Sequence, residues 1–461
     1  MAAMPLIHHR SAGQRSLRAR FGRSAAWRNR CWAMPSLTLS FAVWMLWSAV
    51  VVQLPGAGFH FSINQLFWLT ALPALCGATL QIAYAFAVPL LGGRRFTALS
   101  AASLLLPALG MGWALQNPDT SYETLVALAL LCGLGGANLT HSMASNLPMG
   151  ASWPQGSAPG PGAGLGTLGV ALAQFVVPLA VGVEIFGALG GAPQAGVQGL
   201  VWLQNAGYIW APLIAGSAVA AWFGMRDLAD SKTRFAEQAV IFGRKHTWLM
   251  GCLCLGTFGS FIGLSAGLPL LMQSQLPHHE LLQLAWLGPL LGALAWPLGG
   301  WLAQRHGAGR ITCWCFAAMV LGTAAALQCL PGSGQGGNVP GLLGAFGVVF
   351  AASGMGHAST LRMIPTIFLT QRQRLAPALP GSQAQAQAQA TAAGQIEAAG
   401  VLGLAGAIGA YGGFFIPKSL GTAIAMTGSP AAALRVFIVF YLSCLALTWW
   451  HYSRRHAPMP C

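Results

Sequence analysis

Residues 37–52 read LTLSFAVWMLWSAVVV, a stretch without a single charged side chain. Comparable apolar runs recur along the chain, for example at residues 201–223 and 434–450. Each is close to the roughly 20 residues that a helix needs to cross the hydrocarbon core of a bilayer. Because no water is present there to pair with the backbone, a spanning segment must satisfy its own N–H and C=O groups. The sequence therefore predicts an all-α membrane protein.

Composition supports the same fold class. The 461 residues are 55% hydrophobic and only 7% charged, whereas soluble domains carry about 25% charged residues. The net charge is +15, and seven arginines lie between Arg10 and Arg30, in a segment (residues 1–35) that has no acid. Positive charge beside a span sets its orientation, so we interpret this segment as a cytoplasmic tail rather than a nucleic-acid-binding arm. The sequence therefore predicts the lipid bilayer as a partner and predicts no binding of nucleic acid.

Twelve spans are predicted, in two groups of six separated by a charged linker at residues 226–247. The N-terminal half occupies residues 36–225 and the C-terminal half residues 248–450, followed by a cytoplasmic tail at 451–461. The spans are predicted at 36–53, 65–91, 96–115, 122–145, 160–189, 204–225, 248–273, 280–304, 310–330, 341–370, 395–426 and 430–450. The low-complexity Gln/Ala-rich sequence within residues 371–394 predicts a mobile inner loop before the eleventh span.

The cations follow the predicted spans in alternation. Outside the linker, the predicted inner segments hold pairs of arginines: Arg94 and Arg95, Arg305 and Arg310, Arg372 and Arg374, Arg454 and Arg455. The predicted outer loops at 55–64, 116–121, 274–279 and 331–340 contain no Lys or Arg. Because Lys and Arg accumulate in cytoplasmic loops, this pattern predicts a multi-pass protein of the bacterial inner membrane with both termini in the cytoplasm.

Enzyme and channel chemistry have little support in the sequence. Most of the ten cysteines fall inside apolar runs, and Cys252 and Cys254 are two apart, which points them to different faces of a helix. We find no nucleophile–base pattern, no phosphate-binding loop and no metal-ligand cluster. The sequence therefore predicts no enzyme, no cofactor and no metal site, and it lacks the charged ring of a channel filter.

Several motifs occur in the order found in one transporter family. They read GLGGANLTHSM (133–143), GLGTLGVALAQFVVPL (164–179), GTFGSFIG (256–263), STLRMIP (359–365), AIGAYGGFFIPK (407–418) and FYLSCLALTWW (440–450). The chain resembles the nitrate/nitrite porters of the major facilitator superfamily over nearly its whole length after the basic tail. The resemblance implies a major facilitator fold of 12 transmembrane helices in two six-helix halves. It further implies nitrate and nitrite transport by alternating access, in nitrate assimilation, by a monomer.

Two of these motifs are rich in glycine and occupy the fifth span of each half. Small residues let transmembrane helices approach closely, and the resemblance implies that such seams gate a rocking transporter; packing alone is the other interpretation. The predicted gating residues are Gly164, Gly166, Gly169, Gly409, Gly412, Gly413 and Arg305. Arg305 belongs to GGWLAQRHGAGR, in which Gln304 stands where the family has Asp.

The substrate positions depart from the family pattern. The family holds its planar anion between two arginines, whose guanidinium groups donate hydrogen bonds in a flat fork. The matching motifs here read ATLQIAY and GALAWPLGG, which puts Gln81 and Trp296 at the two arginine positions. The predicted substrate-binding residues are Gln81, Leu139, Thr167, Cys254, Phe258, Trp296, His357 and Arg362.

Three polar residues inside the predicted spans have open roles. Arg362 could attract an anion or could bond to helix carbonyls, because a cation at this depth needs a partner or a watery cavity. His357 could titrate near neutral pH or join two helices by a hydrogen bond. Lys418 is near a helix end and is expected to extend towards the headgroups.

The loss of both arginines leaves three functions open. The first is a nitrate/nitrite transporter with an atypical pocket. The second is a transporter of another small solute through a neutral pocket. The third is a transport-incompetent partner or sensor that keeps the fold.

Overall fold

The protein is helical almost throughout. The computed structural model describes residues 28–29, 31–136, 162–196, 199–225, 240–276, 280–331, 337–375 and 382–461. In the N-terminal half the helices are α1 Cys31–Trp44, α2 Leu46–Val50, α3 Ile63–Leu91, α4 Gly93–Ser103, α5 Leu105–Ala114, α6 Tyr122–Cys132, α7 Gly162–Val181, α8 Asn205–Tyr208 and α9 Trp210–Gly224. A small antiparallel hairpin, β1 Gln194–Gly196 and β2 Gly199–Val201, precedes α8 and pairs Ala195 with Leu200.

The C-terminal half has the same helical character. Its helices are α10 Lys245–Gln275, α11 Leu287–His306, α12 Ala308–Cys329, α13 Val339–Leu375, α14 Gln383–Ala410, α15 Gly412–Thr427 and α16 Ala431–Thr448. Helices α14 and α15 follow one another as a single apolar stretch, Gln383–Thr427. This stretch takes the place of the eleventh predicted span.

Nine helical stretches within the described residues are long and apolar enough to cross a bilayer. The predicted first, fourth and eighth spans coincide with α1–α2, α6 and α11, which do not belong to those nine. Large apolar side chains cover the outside of the protein; Phe223 is 80% exposed and Trp113 is 68% exposed. Apolar surface on this scale is typical of contact with lipid. The all-α membrane fold is therefore confirmed, whereas the number of twelve spans stays a prediction.

Contacts between helices join the two halves. Helix α3 packs on α10, α14 and α15, α7 packs on α11, and α2 packs on α10. The largest fully buried side chains are aromatic, and they include Trp44 and Trp47 in the N-terminal half and Phe258 and Phe316 in the C-terminal half. Trp44 also satisfies its polar atom, because its indole Nε1 donates a hydrogen bond to the carbonyl of Pro73 at 2.8 Å.

The prediction of a loop at residues 371–394 is wrong for most of that segment. Helix α13 continues to Leu375, and α14 begins at Gln383. Ser382 caps α14 with a capping box, in which its hydroxyl accepts from the Gln385 backbone N–H and the Gln385 side chain accepts from the Ser382 N–H. Alanine and glutamine both favour helix. Low sequence complexity here therefore encodes a capped helix rather than a loop.

Glu397 on α14 ties three segments together. Its carboxylate, of which only 3% is exposed, accepts from Arg244 at 3.2 Å and from Arg372 at 2.5 Å. Arg244 immediately precedes α10 at the end of the predicted linker, and Arg372 lies in the last turn of α13. One buried acid thus fixes the linker and two helices at the predicted inner end of the C-terminal half.

Glu397→Gln is expected to lower the free energy of unfolding by about 1–3 kcal/mol. Removing one partner of a buried ion pair costs about 3–5 kcal/mol, but the two arginine side chains remain 24% and 28% exposed and can regain water. Thermal unfolding in detergent would measure the change, with Glu184→Gln, an exposed acid after α7, as the control. Equal melting temperatures for the two variants would contradict the role of Glu397.

Candidate functional site

Three predicted site residues meet in the C-terminal half. The rings of Phe258 on α10 and His357 on α13 stack, with centroids 4.6 Å apart and planes inclined by 22°. Cys254 and both rings are buried, and Nδ1 of His357 is enclosed without a hydrogen-bond partner among the described residues. A Cβ on Gly409 would lie 3.0 Å from the Cys254 carbonyl oxygen and 3.2 Å from Phe258. Glycine thus lets α14 approach the stacked pair closely.

Gln81 lies on the face of α3 that turns to the C-terminal half. It follows Ala74 by seven residues, close to two helical turns, and a Cβ on Gly413 of α15 would lie 2.6 Å from the Ala74 side chain. Gln81 is 1% exposed, and its Nε2 has no hydrogen-bond partner in the described part of the chain. The first family arginine position therefore carries a buried, neutral donor without a partner.

Trp296 and Thr167 lie at the contact of α11 with α7. A Cβ on Gly164 would lie 2.8 Å from the Trp296 ring, so the buried indole packs directly on this glycine. The Thr167 hydroxyl donates to the Gly164 carbonyl at 2.6 Å. At the second family arginine position a bulky ring thus joins the two halves and fills space in place of a charge.

The predicted pocket residues fall into separate groups. Within the described residues, no hydrogen bond or ring contact links Gln81 or Trp296 to the stack of Phe258 on His357. Leu139 lies outside the described residues. The same residues contain no group of three His, Cys, Asp or Glu that could hold a metal ion.

Every predicted gating glycine lies at a close helix contact. A Cβ on any of them would come within 3.0 Å of another residue: Gly164 with Trp296, Gly166 with Leu37, Gly169 with Thr38, Gly409 with Cys254, Gly412 with Gly259 and Gly413 with Ala74. Two of these contacts, at Gly164 and Gly413, lie between the halves. The glycines therefore serve as packing seams, and their gating role stays a prediction.

Two cations of the sequence analysis have aromatic partners. The Lys418 Nζ donates to the Asn64 side-chain oxygen at 2.8 Å and lies 4.4 Å from the ring centroid of Trp68. Both Asn64 and Trp68 lie near the start of α3, and the expectation that Lys418 extends towards the headgroups stays a prediction. Arg305 is exposed and lies over Trp301 of its own helix, at 4.4 Å from that ring.

Comparison with known proteins identifies the family. The chain is 45% identical over 436 residues to the nitrate/nitrite transporter NarU of Salmonella typhimurium, covering 94% of this chain and 93% of that protein. It is 43% identical to NarU of Escherichia coli with the same coverage. The chain belongs to the nitrate/nitrite transporter family. It is also 36% identical to the probable nitrate/nitrite antiporter NarK2 of Thermus thermophilus, covering 96% of each chain.

The fold of this family member agrees with a solved transporter structure. A point mutant of the nucleoside transporter NupG superposes with a TM-score of 0.57 at 11% identity and covers 91% of this chain and 98% of that one. At that identity the likeness concerns the fold alone. No protein-family model matches the chain.

One polar residue of this nitrate/nitrite family member escaped the sequence analysis. Gln174, buried on α7, donates from Nε2 to the Ser48 hydroxyl at 3.0 Å and to the Ser265 carbonyl at 2.6 Å. Ser48 belongs to α2 and Ser265 to α10, so this amide bridges the halves. The sequence could have indicated this role, because Gln174 is the only Asn or Gln in helix α7.

Proposed function

We propose that this protein transports nitrate and nitrite across the bacterial inner membrane by alternating access. The choice of nitrate and nitrite as substrates rests on the 43% and 45% identity to two proteins named nitrate/nitrite transporters. In this proposal, residues 36–225 and 248–450 rock about the site as a monomer, with residues 226–247 as the cytoplasmic linker. The relatives are transporters or antiporters, which points away from an enzyme.

Contacts on the predicted outer side support a closed outer gate. There the halves meet through a hydrogen bond from Gln273 to the Val52 carbonyl at 2.9 Å, the rings of Phe175 and Trp286 at 4.9 Å, and the pair Lys418–Asn64 at 2.8 Å. Opening this side would break a few polar and ring contacts. Smooth glycine seams beside them offer little interlocking that would oppose such a motion.

Arginine–tryptophan pairs support the proposed orientation. Three predicted inner helix ends carry an arginine above a tryptophan ring: Arg94 with Trp222, Arg305 with Trp301 and Arg454 with Trp450, at 5.6, 4.4 and 4.2 Å. Tryptophan favours the membrane–water interface, and arginine favours its cytoplasmic side. These pairs support cytoplasmic termini and an inner-membrane location.

Two buried polar side chains favour a second candidate, the transport of another small solute. Nε2 of Gln81 and Nδ1 of His357 are enclosed neutral groups without partners in the described part of the chain, and such groups suit a ligand that forms hydrogen bonds. A buried anion without a paired cation is unfavourable by several kcal/mol. A transport-incompetent partner or sensor is the third possibility.

Gln81→Arg is expected to lower the half-saturating nitrate concentration by about tenfold or more, as measured by uptake into proteoliposomes. A hydrogen bond to a charged group contributes about 1.5–3 kcal/mol, and about 1.4 kcal/mol corresponds to a factor of ten. Gln81→Met, which has similar length but no donor, is the control. The double variant with Gln81→Arg and Trp296→Arg adds the second arginine position.

The outcomes separate the three functions. Wild-type nitrate flux that Gln81→Arg leaves unchanged would contradict a role for this position in anion binding. Flux in the double variant but not in the wild type would favour another natural solute. If neither protein carries nitrate or nitrite, the transport proposal fails and the partner or sensor gains support.

A further inference from the structure

Arg362 on α13 is unusual among the cations of this protein. It is 9% exposed, and it is the only Lys or Arg among the buried side chains that the structure describes. A charged side chain removed from water costs several kcal/mol unless a partner or water compensates it. Two partly buried cations have such partners: Lys418 has Asn64, and Arg372 has Glu397.

No such partner exists for Arg362 among the described residues. At this position the Thr366 hydroxyl donates a hydrogen bond to the backbone carbonyl of Arg362, not to its side chain. The guanidinium itself has neither a hydrogen bond nor an ion pair with the part of the chain that the structure describes. The contact to helix carbonyls that the sequence analysis left open is therefore not found there. Its five N–H donors are left for a ligand or water.

The neighbours of Arg362 place it in the inner part of the C-terminal half. Three residues before it, the Ser359 hydroxyl bonds to that of Thr312 at 2.8 Å, and one residue after it, Met363 contacts the same Thr312. Thr312 lies near the start of α12, at its predicted inner end. Arg362 is also five residues beyond His357, about 7.5 Å along the helix. It thus lies between the stacked pair of Phe258 and His357 and the cytoplasmic side.

Helix α11 packs on α13 through small residues. Met355, two helical turns before Arg362 and on the same face, packs its backbone against Gly299 of α11. Gly300 and Ala303 continue this small-residue surface of α11 towards its inner end, and both are buried. Arg362 therefore lies on the side of α13 that packs on α11 through small residues.

We propose that Arg362 forms an anion subsite at the inner end of the transport path, which holds one small oxyanion on the cytoplasmic side of the central pocket. The inference rests on the proposed nitrate/nitrite transport. The planar guanidinium matches a planar oxyanion through paired N–H donors. The subsite supplies the positive charge that Gln81 and Trp296 do not. During export, an anion from the cytoplasm binds first at this subsite. During uptake, an anion from outside binds there before its release into the cytoplasm.

Transport measured separately from each face tests the subsite. In inside-out membrane vesicles, where the cytoplasmic face is outside, Arg362→Gln is expected to raise the half-saturating nitrate concentration at least tenfold. In right-side-out vesicles the same variant is expected to change it less than twofold. Arg362→Lys, which keeps the charge, should restore part of the affinity. Arg310→Gln is the matched control, because Arg310 is an exposed cation in the first turn of α12.

Three results would overturn the inference. Unchanged affinity on both faces would mean that Arg362 is structural, and an equal loss on both faces would place it in the central pocket. A wild type without nitrate or nitrite flux would contradict the proposed function instead. In that case, nitrate-dependent thermal stabilisation of the detergent-solubilised protein still tests the subsite, since Arg362→Gln should abolish it and Arg310→Gln should not. Equal stabilisation of both variants would reject an anion site at Arg362.

Discussion

Gly412→Ala is expected to abolish nitrate uptake and to destabilise the protein. At this position the backbone of α15 packs directly on the backbone of α10. A Cβ on Gly412 would contact the Cα of Gly259 and would lie 2.6 Å from the carbonyl carbon and 2.7 Å from the carbonyl oxygen of Gly259. No flexible side chain is present to move aside. Overpacking costs about 1–3 kcal/mol in ordinary cores, and here the two helices themselves must separate. Uptake into proteoliposomes and melting in detergent would measure both effects.

Gly344→Ala is the matched control for Gly412→Ala. Gly344 also lies within a helix, α13, but a Cβ there would meet no atom within 4 Å. Because alanine favours helix over glycine by about 0.5–1 kcal/mol, this variant should be as stable as the wild type or slightly more so. Similar melting temperatures and uptake rates for the two variants would show that the contact of Gly412 with Gly259 is unimportant.

The glycines show which part of the fold the sequence could predict. Their density in the fifth span of each half indicated helix seams, and each of the six is at a close contact. The partners could not be predicted, because a seam can face a helix of its own half or of the other. Gly412 meets α10 of its own half, whereas Gly413, the next residue, meets both Ile262 of α10 and Ala74 of α3 in the other half. Neighbouring residues on a helix point about 100° apart, which brings Gly413 to the second partner.

Charged residues were harder to predict than apolar ones. The positive-inside pattern gave a consistent topology, but the pairing of a charge depends on residues far along the chain. Lys418 and Asn64 are 354 positions apart, and Arg244 and Glu397 are 153 apart. The helical start of α14 was a different kind of error, since the capping residues Ser382 and Gln385 were visible in the sequence.

The candidate pocket was predicted only in part. Gln81 and Trp296 are buried, and their role in substrate binding stays a prediction. Sequence alone could not show that the Trp296 ring packs against Gly164 of the other half. Nor could it show that Phe258 stacks on His357, because α10 and α13 are distant in the chain. Trp296 thus takes part in the contact between the halves, which its sequence motif did not indicate.

Lys418→Met is expected to shift the protein towards an outward-open form. Lys418 on α15 donates to Asn64 at 2.8 Å and lies 4.4 Å from the ring of Trp68, and both partners are on α3 of the other half. Methionine has similar length but no charge, so both interactions are lost. After the freed groups regain water, we expect a change of about 1–3 kcal/mol, which is about 5- to 150-fold in the equilibrium. Hydrogen–deuterium exchange at residues 63–70 and 415–427 should rise accordingly.

A control cation separates this contact from general surface charge. Arg435 is an exposed cation near the start of α16, at the predicted outer side, so Arg435→Met removes the same charge without breaking the contact between halves. Exchange should then stay at the wild-type level. Asn64→Ala and Trp68→Leu divide the effect between the hydrogen bond and the ring, and each should give a smaller rise than Lys418→Met. If Lys418→Met leaves hydrogen–deuterium exchange in both segments unchanged, this contact does not hold the outer side closed. The contacts of Gln273 with Val52 and of Phe175 with Trp286 would then be enough to keep it closed.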